Sequence, residues 1–151
     1  GFSAHQDQPA WSDFEPDRYI TAAMFANNST KERGCLEFGI GENKFTGLCK
    51  YNTAGLGELD SELEKHLRWD ITETNPRDLL LFDSYVPHRS GKNITEKPRR
   101  IFYFTYHDKK YGNLYDSYIT NKRKYFPPNI ERNDNIVEVM GNKYNLANPI
   151  E

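Results

Sequence analysis

The chain has 151 residues, the size of one ordinary domain and long enough to bury a single hydrophobic core without disulfide staples. Its 20 Lys and Arg and 22 Asp and Glu give a net charge of -2, so no broad field attracts nucleic acid or an anionic membrane. No stretch approaches the roughly 18 consecutive apolar residues that a membrane span requires. We therefore expect one domain, residues 1–151, with no nucleic-acid or membrane partner.

The two cysteines, Cys35 and Cys49, lie in strand-like segments, and no secretory hydrophobic region precedes them. This pattern favours reduced thiols and a cytoplasmic location. A candidate metal ligand, His5, lies only four positions after the first residue, where most domains fray. We therefore expect the natural protein to have an N-terminal portion upstream, which would carry any targeting signal.

Short apolar runs separated by turn residues dominate the chain, and this pattern is typical of an all-β barrel or sandwich. The first predicted strand covers residues 19–26. The second covers residues 35–38, and it is entered through Gly34 and left through a tight bend at Gly39 and Gly41.

One short helix is predicted over residues 58–67, because Leu56, Leu59, Leu63 and Leu67 recur at three- and four-residue spacing. Ser61 and Glu64 have the spacing of a capping box, which favours a later start for this helix. His66 falls off the leucine stripe, so we predict a surface histidine there.

The run Leu79–Asp83 is continuously apolar, which favours a strand covered on both faces. A polar hairpin over residues 89–98 and an aromatic strand over residues 99–106 follow. We expect the strand over residues 79–83 to pair antiparallel with the strand over residues 99–106. Beyond Lys109 the chain is polar and basic, and regular structure is hard to predict. We interpret that part as a covering segment, not a second domain.

Three residues form the candidate metal site. His5 and Asp7 occupy alternate positions, so in an extended segment their side chains point the same way. His88 follows the apolar strand and would supply a third ligand from a distant part of the chain. Two histidines and one carboxylate on one face of an ion leave three coordination positions open, unlike the closed shell of structural zinc.

A candidate anchor for a carboxylate lies eleven residues after His88, at Arg99. A planar guanidinium suits a carboxylate bidentately, and the hydroxyl of Ser90 can add a hydrogen bond. Arg100 competes for this role, because neighbouring strand residues face opposite sides. Tyr103 and Thr105 share the face of Arg99 and are predicted to line the pocket.

Several stretches together resemble the phytanoyl-CoA dioxygenase-like family of Fe(II)- and 2-oxoglutarate-dependent oxygenases, over residues 2–106. These stretches are His5-Gln6-Asp7, Gly34-Cys35-Leu36-Glu37, residues 78–83, His88-Arg89-Ser90-Gly91-Lys92-Asn93 and Pro98-Arg99-Arg100. The resemblance implies a mainly β, cupin-like double-stranded β-helix, which is a form of jelly roll. It implies that His5, Asp7 and His88 hold iron, and that Ser90 and Arg99 hold the far carboxylate of 2-oxoglutarate.

The implied function is a dioxygenase that hydroxylates a small organic molecule while 2-oxoglutarate is decarboxylated to succinate. Fe(II), 2-oxoglutarate and O2 are the implied cofactors, with ascorbate as a supportive reductant. An anionic substrate is one alternative, either a phosphonate, such as 2-aminoethylphosphonate, or an acyl-CoA. Two competing functions remain open at this point: a non-catalytic metal-binding β-barrel module, and a cupin-type metal-dependent hydrolase or isomerase. The sequence does not indicate the oligomeric state.

Overall fold

Seven β-strands form most of the regular structure in the computed structural model, which describes residues 1–11, 14–41, 49 and 58–125. The strands are β1 (Phe2–His5), β2 (Ile20–Phe25), β3 (Leu36–Ile40), β4 (Arg68–Thr72), β5 (Leu79–Asp83), β6 (His88–Ser90) and β7 (Ile101–Tyr106). The helices are α1 (Ser61–His66) and α2 (Tyr115–Tyr125), with 3-10 turns at Gln8–Trp11, Lys31–Arg33 and Lys109–Tyr111. Along the described chain, no helix is long and apolar enough to cross a membrane.

The strands form two antiparallel sheets. One has four strands in the order β1-β6-β3-β4, and the other has three in the order β5-β2-β7. Strands that follow one another along the chain mostly lie in different sheets or are not neighbours, as in a jelly roll. The predicted mainly β, jelly-roll class is therefore confirmed.

The predicted pairing of β5 with β7 is wrong. Both strands pair antiparallel with β2, which lies between them: Ala22 is opposite Leu81 on one side and Phe104 on the other. The intervening strand β6 pairs with β1 and β3 in the other sheet. The segment between β5 and β7 is therefore a crossover between sheets, which periodicity within the strands does not reveal.

The prediction that β5 is covered on both faces is also wrong for the described residues. Phe82 is buried, whereas Leu79 and Leu81 are each 60% exposed. These leucines belong to an apolar outer face of the three-stranded sheet. The other large side chains of this outer face are Ile20, Met24, Phe102, Phe104 and Tyr106.

Two predicted elements have shifted boundaries. β3 runs through Gly39 to Ile40, because both residues pair with β4, so the predicted bend at Gly39 does not occur. α1 begins at Ser61 and is capped by Asp60, whose carboxylate accepts hydrogen bonds from the backbone N–H groups of Glu62 and Leu63. Ser61 is therefore not the cap, and Leu56 lies outside the described residues.

The covering segment contains a helix that the sequence did not indicate. α2 has eleven residues and carries Lys122, Arg123 and Lys124 in its last turn, where basic side chains suit the helix dipole. Residues 126–151, with the rest of that segment, lie outside the described part of the chain.

The core lies between the two sheets. Ala23 and Phe25 of β2 and Phe82 of β5 pack with Leu36 of β3. Next to this core, Gly34 adopts a left-handed conformation with φ of 69°. A Cβ atom at Gly34 would lie 2.0 Å from the carbonyl oxygen of Gly91, so only glycine lets the chain pass behind the end of β6.

Candidate metal centre

An irregularity in the ladder between β1 and β6 sets the first element of the site. Phe2 pairs with Ser90 and His5 pairs with His88, so β1 contains one more residue than β6 over the same length. A β-bulge of this kind re-aims a side chain and is frequent beside functional sites. A regular ladder would place Ala4 opposite His88, whereas the bulge places the two imidazoles 4.3 Å apart, centroid to centroid.

The three predicted ligand residues converge. The Nε2 atom of His5 lies 3.5 Å from Oδ1 of Asp7, and the Nε2 atom of His88 lies 3.6 Å from the same oxygen. All three potential ligand atoms lie within 4.8 Å of one another. No other group of three or more His, Cys, Asp or Glu with this spacing occurs among the described residues.

Backbone carbonyl groups hold both imidazole rings in one orientation. Nδ1 of His5 lies 2.8 Å from the carbonyl oxygen of Ser3, and Nδ1 of His88 lies 3.0 Å from that of Val86. A carbonyl oxygen only accepts, so each Nδ1 must carry the hydrogen and donate it. Each Nε2 then keeps its lone pair, which is the state that binds a metal.

The protonation states also suit a cation. Burial lowers the pKa of His88, although the charge of Asp7 acts in the opposite direction. Burial would raise the pKa of Asp7, but His88, His5 and the hydroxyl of Thr21 together keep that pKa below its usual value. At neutral pH His88 is therefore neutral and Asp7 is ionised, as metal binding requires.

Thr21, in β2 of the other sheet, is a site residue that sequence reasoning missed. Its side chain is buried, and Oγ1 donates to Oδ2 of Asp7 at 3.4 Å. The other carboxylate oxygen, Oδ1, is the one that faces the histidines. A threonine in an apolar strand is usual on β-propensity grounds, so no pattern in the sequence singled out Thr21 for this contact.

Arg99 and Ser90 lie together at the end of β6. Nη2 of Arg99 donates to Oγ of Ser90 at 3.5 Å, and Ser90 also accepts from the backbone N–H of Phe2 at 3.1 Å. Nη1 of Arg99 is buried and has no hydrogen-bond partner among the described residues. Arg100 is exposed, and β7 begins one residue after it. A buried, unpartnered guanidinium nitrogen is the group that a bound carboxylate would satisfy.

An ion network on the other side of β6 supports the strand that carries His88. The guanidinium of Arg89 lies 4.1 Å from the ring centroid of Trp69 and bonds Glu37 at 2.9 Å and Glu64 at 2.7 Å. These contacts connect β6 with β3, α1 and β4. Because two of its three guanidinium nitrogens already pair with carboxylates and the group stacks on Trp69, we do not assign Arg89 to a ligand.

Two cavities meet beside the three candidate ligands, which we call the triad. The first, which we call the metal cavity, has a volume of about 310 Å³ and is lined by His5, Asp7 and His88. The second, of about 400 Å³, is mostly aromatic and extends from β7 to α2. Trp11, Tyr103 and Thr105 line both cavities, so the predicted pocket-lining role of Tyr103 and Thr105 is confirmed. Trp11 also packs against Tyr19 and Tyr118, with ring centroids 5.0 and 4.4 Å apart.

Two antiparallel sheets with a His-Asp-His group between them define a jelly-roll protein of the kind that holds a metal at a two-histidine, one-carboxylate site. The sequence profile of the phytanoyl-CoA dioxygenase (PhyH) family matches residues 1–101. The chain therefore belongs to that family, as the sequence motifs indicated. Membership of a dioxygenase family implies a metal and oxygen.

Named relatives agree with this assignment. A 2-aminoethylphosphonate dioxygenase from uncultured bacterium HF130_AEPn_1 is 36% identical over all of this chain and 57% of the relative. A methylphosphonate hydroxylase from Gimesia maris is 36% identical over 83% of this chain and 46% of the relative. Dioxygenase lolE1 from Epichloe uncinata is 28% identical over 85% of this chain and 48% of the relative. The chain thus spans about half the length of these relatives.

Proposed function

We propose that the protein is an Fe(II)- and 2-oxoglutarate-dependent dioxygenase that hydroxylates a small organophosphonate. The observation that carries the proposal is the combination of the His-Asp-His group with the buried, unpartnered Nη1 of Arg99. A metal-dependent hydrolase or isomerase of the same fold requires the metal site, but its reaction does not require a residue that binds the carboxylate of a cosubstrate. The same anchor argues against a module that only binds metal.

The proposed roles follow from the contacts of each residue. Nε2 of His5, Oδ1 of Asp7 and Nε2 of His88 would hold Fe(II) on one face and leave three positions open. Thr21 would hold the second oxygen of Asp7 and so keep the carboxylate from rotating. When bound, Fe(II) and 2-oxoglutarate would supply oxidising chemistry in which 2-oxoglutarate, O2 and a C–H bond of the substrate give succinate, CO2 and the hydroxylated substrate, with one oxygen atom going to succinate and the other to the substrate.

Arg99 and Ser90 would bind the far carboxylate of 2-oxoglutarate. Arg99 supplies a fixed positive charge with a free N–H group, and Ser90 supplies a hydroxyl at the same place. The side chains of Phe2, Leu36 and Phe82 line the metal cavity and would exclude water from it. The protein's part is then to orient the cosubstrate and shield the reaction.

The substrate class rests on the relatives and on the size of the cavity. Two relatives are named for phosphonates. A cavity of about 310 Å³ must also hold the cosubstrate, which favours a small substrate over a long acyl chain. The adjoining cavity of about 400 Å³ offers room for the organic part of that substrate.

Succinate formation tests the proposal. Purified protein with Fe(II), ascorbate, 2-oxoglutarate and O2 should form succinate slowly, and a panel of alkyl- and aminoalkylphosphonates should include one that accelerates it. Omission of Fe(II) or of 2-oxoglutarate is the control and should abolish the product. Protein that binds Fe(II) but forms no succinate with any phosphonate would contradict the proposal.

A further inference from the structure

Four consecutive residues, His5 to Gln8, alternate between two directions. His5 and Asp7 face the metal cavity. The side chains of Gln6 and Gln8 do not line that cavity among the described residues, and both glutamines are almost completely buried, with 0% and 5% exposure. A fully buried glutamine is unusual, because its amide must find partners for both its donor and its acceptor.

Both glutamines bind the turn that leads into His88. The side-chain amide of Gln6 donates to the carbonyl oxygen of Tyr85 and accepts from the backbone N–H of Cys49 at 2.8 Å. Oε1 of Gln8 accepts from Oγ of Ser84 at 2.6 Å, and the backbone N–H of Gln8 donates to the carbonyl oxygen of Ser84 at 3.0 Å.

The turn is itself fixed at both ends. Ser84 exchanges two hydrogen bonds with the backbone of Tyr19, through its N–H and its Oγ. At the other end, the carbonyl oxygen of Val86 accepts from Nδ1 of His88, so the position of the turn sets the direction of that imidazole. A shift of the turn relative to residues 5–8 would therefore move His88 relative to His5 and Asp7.

The backbone ladder between β1 and β6 does not by itself fix the separation of His88 from His5 and Asp7. β1 and β6 are short, and their pairing is irregular between Phe2 and His5. A bulge leaves an unpaired residue and locally disrupts the ladder. The register of the two halves of the site therefore depends on contacts outside the ladder, and the glutamine contacts lie directly beside the ligands.

We propose that Gln6 and Gln8 are positioning residues that set the separation between the His5–Asp7 segment and His88, and so determine the affinity of the site for its metal. This inference rests on the proposed function, because it takes those three residues as the ligands. The glutamines would not touch the metal, because their side chains do not line the cavity that would hold it. They act through the turn, in the way that partners outside the ligand shell commonly tune a metal site.

The test measures metal affinity and stability separately, with Co(II) as the probe in the full chain. Gln6→Met keeps the length of the side chain but removes both hydrogen bonds. We expect it to lower Co(II) affinity by about 10- to 100-fold and to change the Co(II) absorption spectrum. Phe25→Leu is the matched control, because Phe25 is buried in the core and does not line the metal cavity. It should lower the thermal midpoint of the metal-free protein while Co(II) affinity stays close to that of the wild type.

Ser84→Ala acts on the same contacts from the other side and keeps the inference testable if Gln6→Met does not fold. It should lower Co(II) affinity, but by less than Gln6→Met does, because it removes the bonds of Oγ to Gln8 and to the N–H of Tyr19 and leaves the contact of Gln6 with Tyr85 in place. Wild-type affinity and spectrum in both Gln6→Met and Ser84→Ala would overturn the inference. An equal loss of affinity in Phe25→Leu would also overturn it, since affinity would then follow stability alone. A wild-type protein that does not bind Co(II) would instead refute the metal site of the proposed function.

Discussion

The two sheets of this protein differ in the regularity of their backbone pairing and in the candidate site residues that they carry. The three-stranded sheet has continuous antiparallel ladders, with β2 paired along its length to both neighbours. The four-stranded sheet has a three-residue strand, β6, and an irregular ladder beside it, and it carries both candidate histidine ligands and Ser90. The candidate site therefore lies beside the irregular ladder, where a β-bulge can re-aim the ligand side chains.

The sheets also differ in how they treat polar groups. In the four-stranded sheet, Arg89 is satisfied by Glu37 and Glu64. The three-stranded sheet contributes one polar contact to the triad, from Thr21, and presents an apolar outer face. Apart from Thr21, we therefore expect substitutions in the four-stranded sheet to affect mainly metal binding and those in the three-stranded sheet to affect mainly stability.

The largest effect is expected at His88 in the four-stranded sheet. His88→Gln removes a proposed ligand, so metal affinity and succinate formation should fall by more than the roughly 100-fold that follows loss of a partner outside the ligand shell. His66→Gln, on the exposed surface of α1, is the control and should behave as wild type. Calorimetric titration with Fe(II) under anaerobic conditions measures the metal affinity of both variants. Wild-type affinity in His88→Gln would show that the ion binds elsewhere.

In β5, we expect substitutions on the inner face to lower the free energy of unfolding strongly and substitutions on the outer face to have little effect. Phe82→Ala removes a buried ring that packs on Phe38 and should lower the free energy of unfolding by about 3–5 kcal/mol. Leu81→Ala, one residue away and 60% exposed, should cost less than about 1 kcal/mol. Urea denaturation of both variants measures the difference. Equal losses would mean that the outer face is covered in solution.

Arg99 tests the carboxylate anchor apart from the metal. Arg99→Ala should raise the KM for 2-oxoglutarate by at least about 30-fold, because truncating one partner of a hydrogen-bonded charge pair costs about 2 kcal/mol or more. Fe(II) affinity should not change. Arg100→Ala is the matched control and should leave the KM unchanged, since that side chain is exposed. If Arg100→Ala raises the KM and Arg99→Ala does not, the anchor has been assigned to the wrong arginine.

The smallest effect is expected at Thr21, the contribution of the three-stranded sheet. Thr21→Val keeps the shape of the side chain but removes the hydroxyl that holds Oδ2 of Asp7, so metal affinity should fall by about 10-fold. Thr21→Ser retains the hydroxyl and should restore most of the affinity. The two variants can be compared by competition with a chelating dye. Identical affinities would mean that the long hydrogen bond of 3.4 Å has no influence.

The sequence was informative about the site because its key residues occur in short motifs. The alternation of His5 and Asp7 indicated that their side chains point the same way, and in the structure both lie close to His88. The spacing from His88 to Arg99 indicated an arginine near the site, and in the structure Arg99 contacts Ser90 at the end of β6. The predicted strand over residues 99–106 had Arg99 as its first residue, whereas β7 begins at Ile101. The existence of some strands was also predictable, since β2 and β5 are mostly apolar.

The remaining features depend on information that short motifs do not contain. The crossover of the segment after β5 into the other sheet is set by the packing of two sheets, so the predicted pairing of β5 with β7 failed. The bulge before His5 and the contact of Thr21 with Asp7 arise from pairings between distant segments. Gln6 had one available signal, a glutamine between two candidate ligands, but its burial became clear only in three dimensions.

A crystal structure of the protein grown without oxygen, with Mn(II) in place of Fe(II) and with 2-oxoglutarate, is the decisive experiment for the proposed site. We expect one ion bound by Nε2 of His5, the carboxylate of Asp7 and Nε2 of His88, with the far carboxylate of 2-oxoglutarate on Arg99. An ion bound without His88, or 2-oxoglutarate bound away from Arg99, would contradict it.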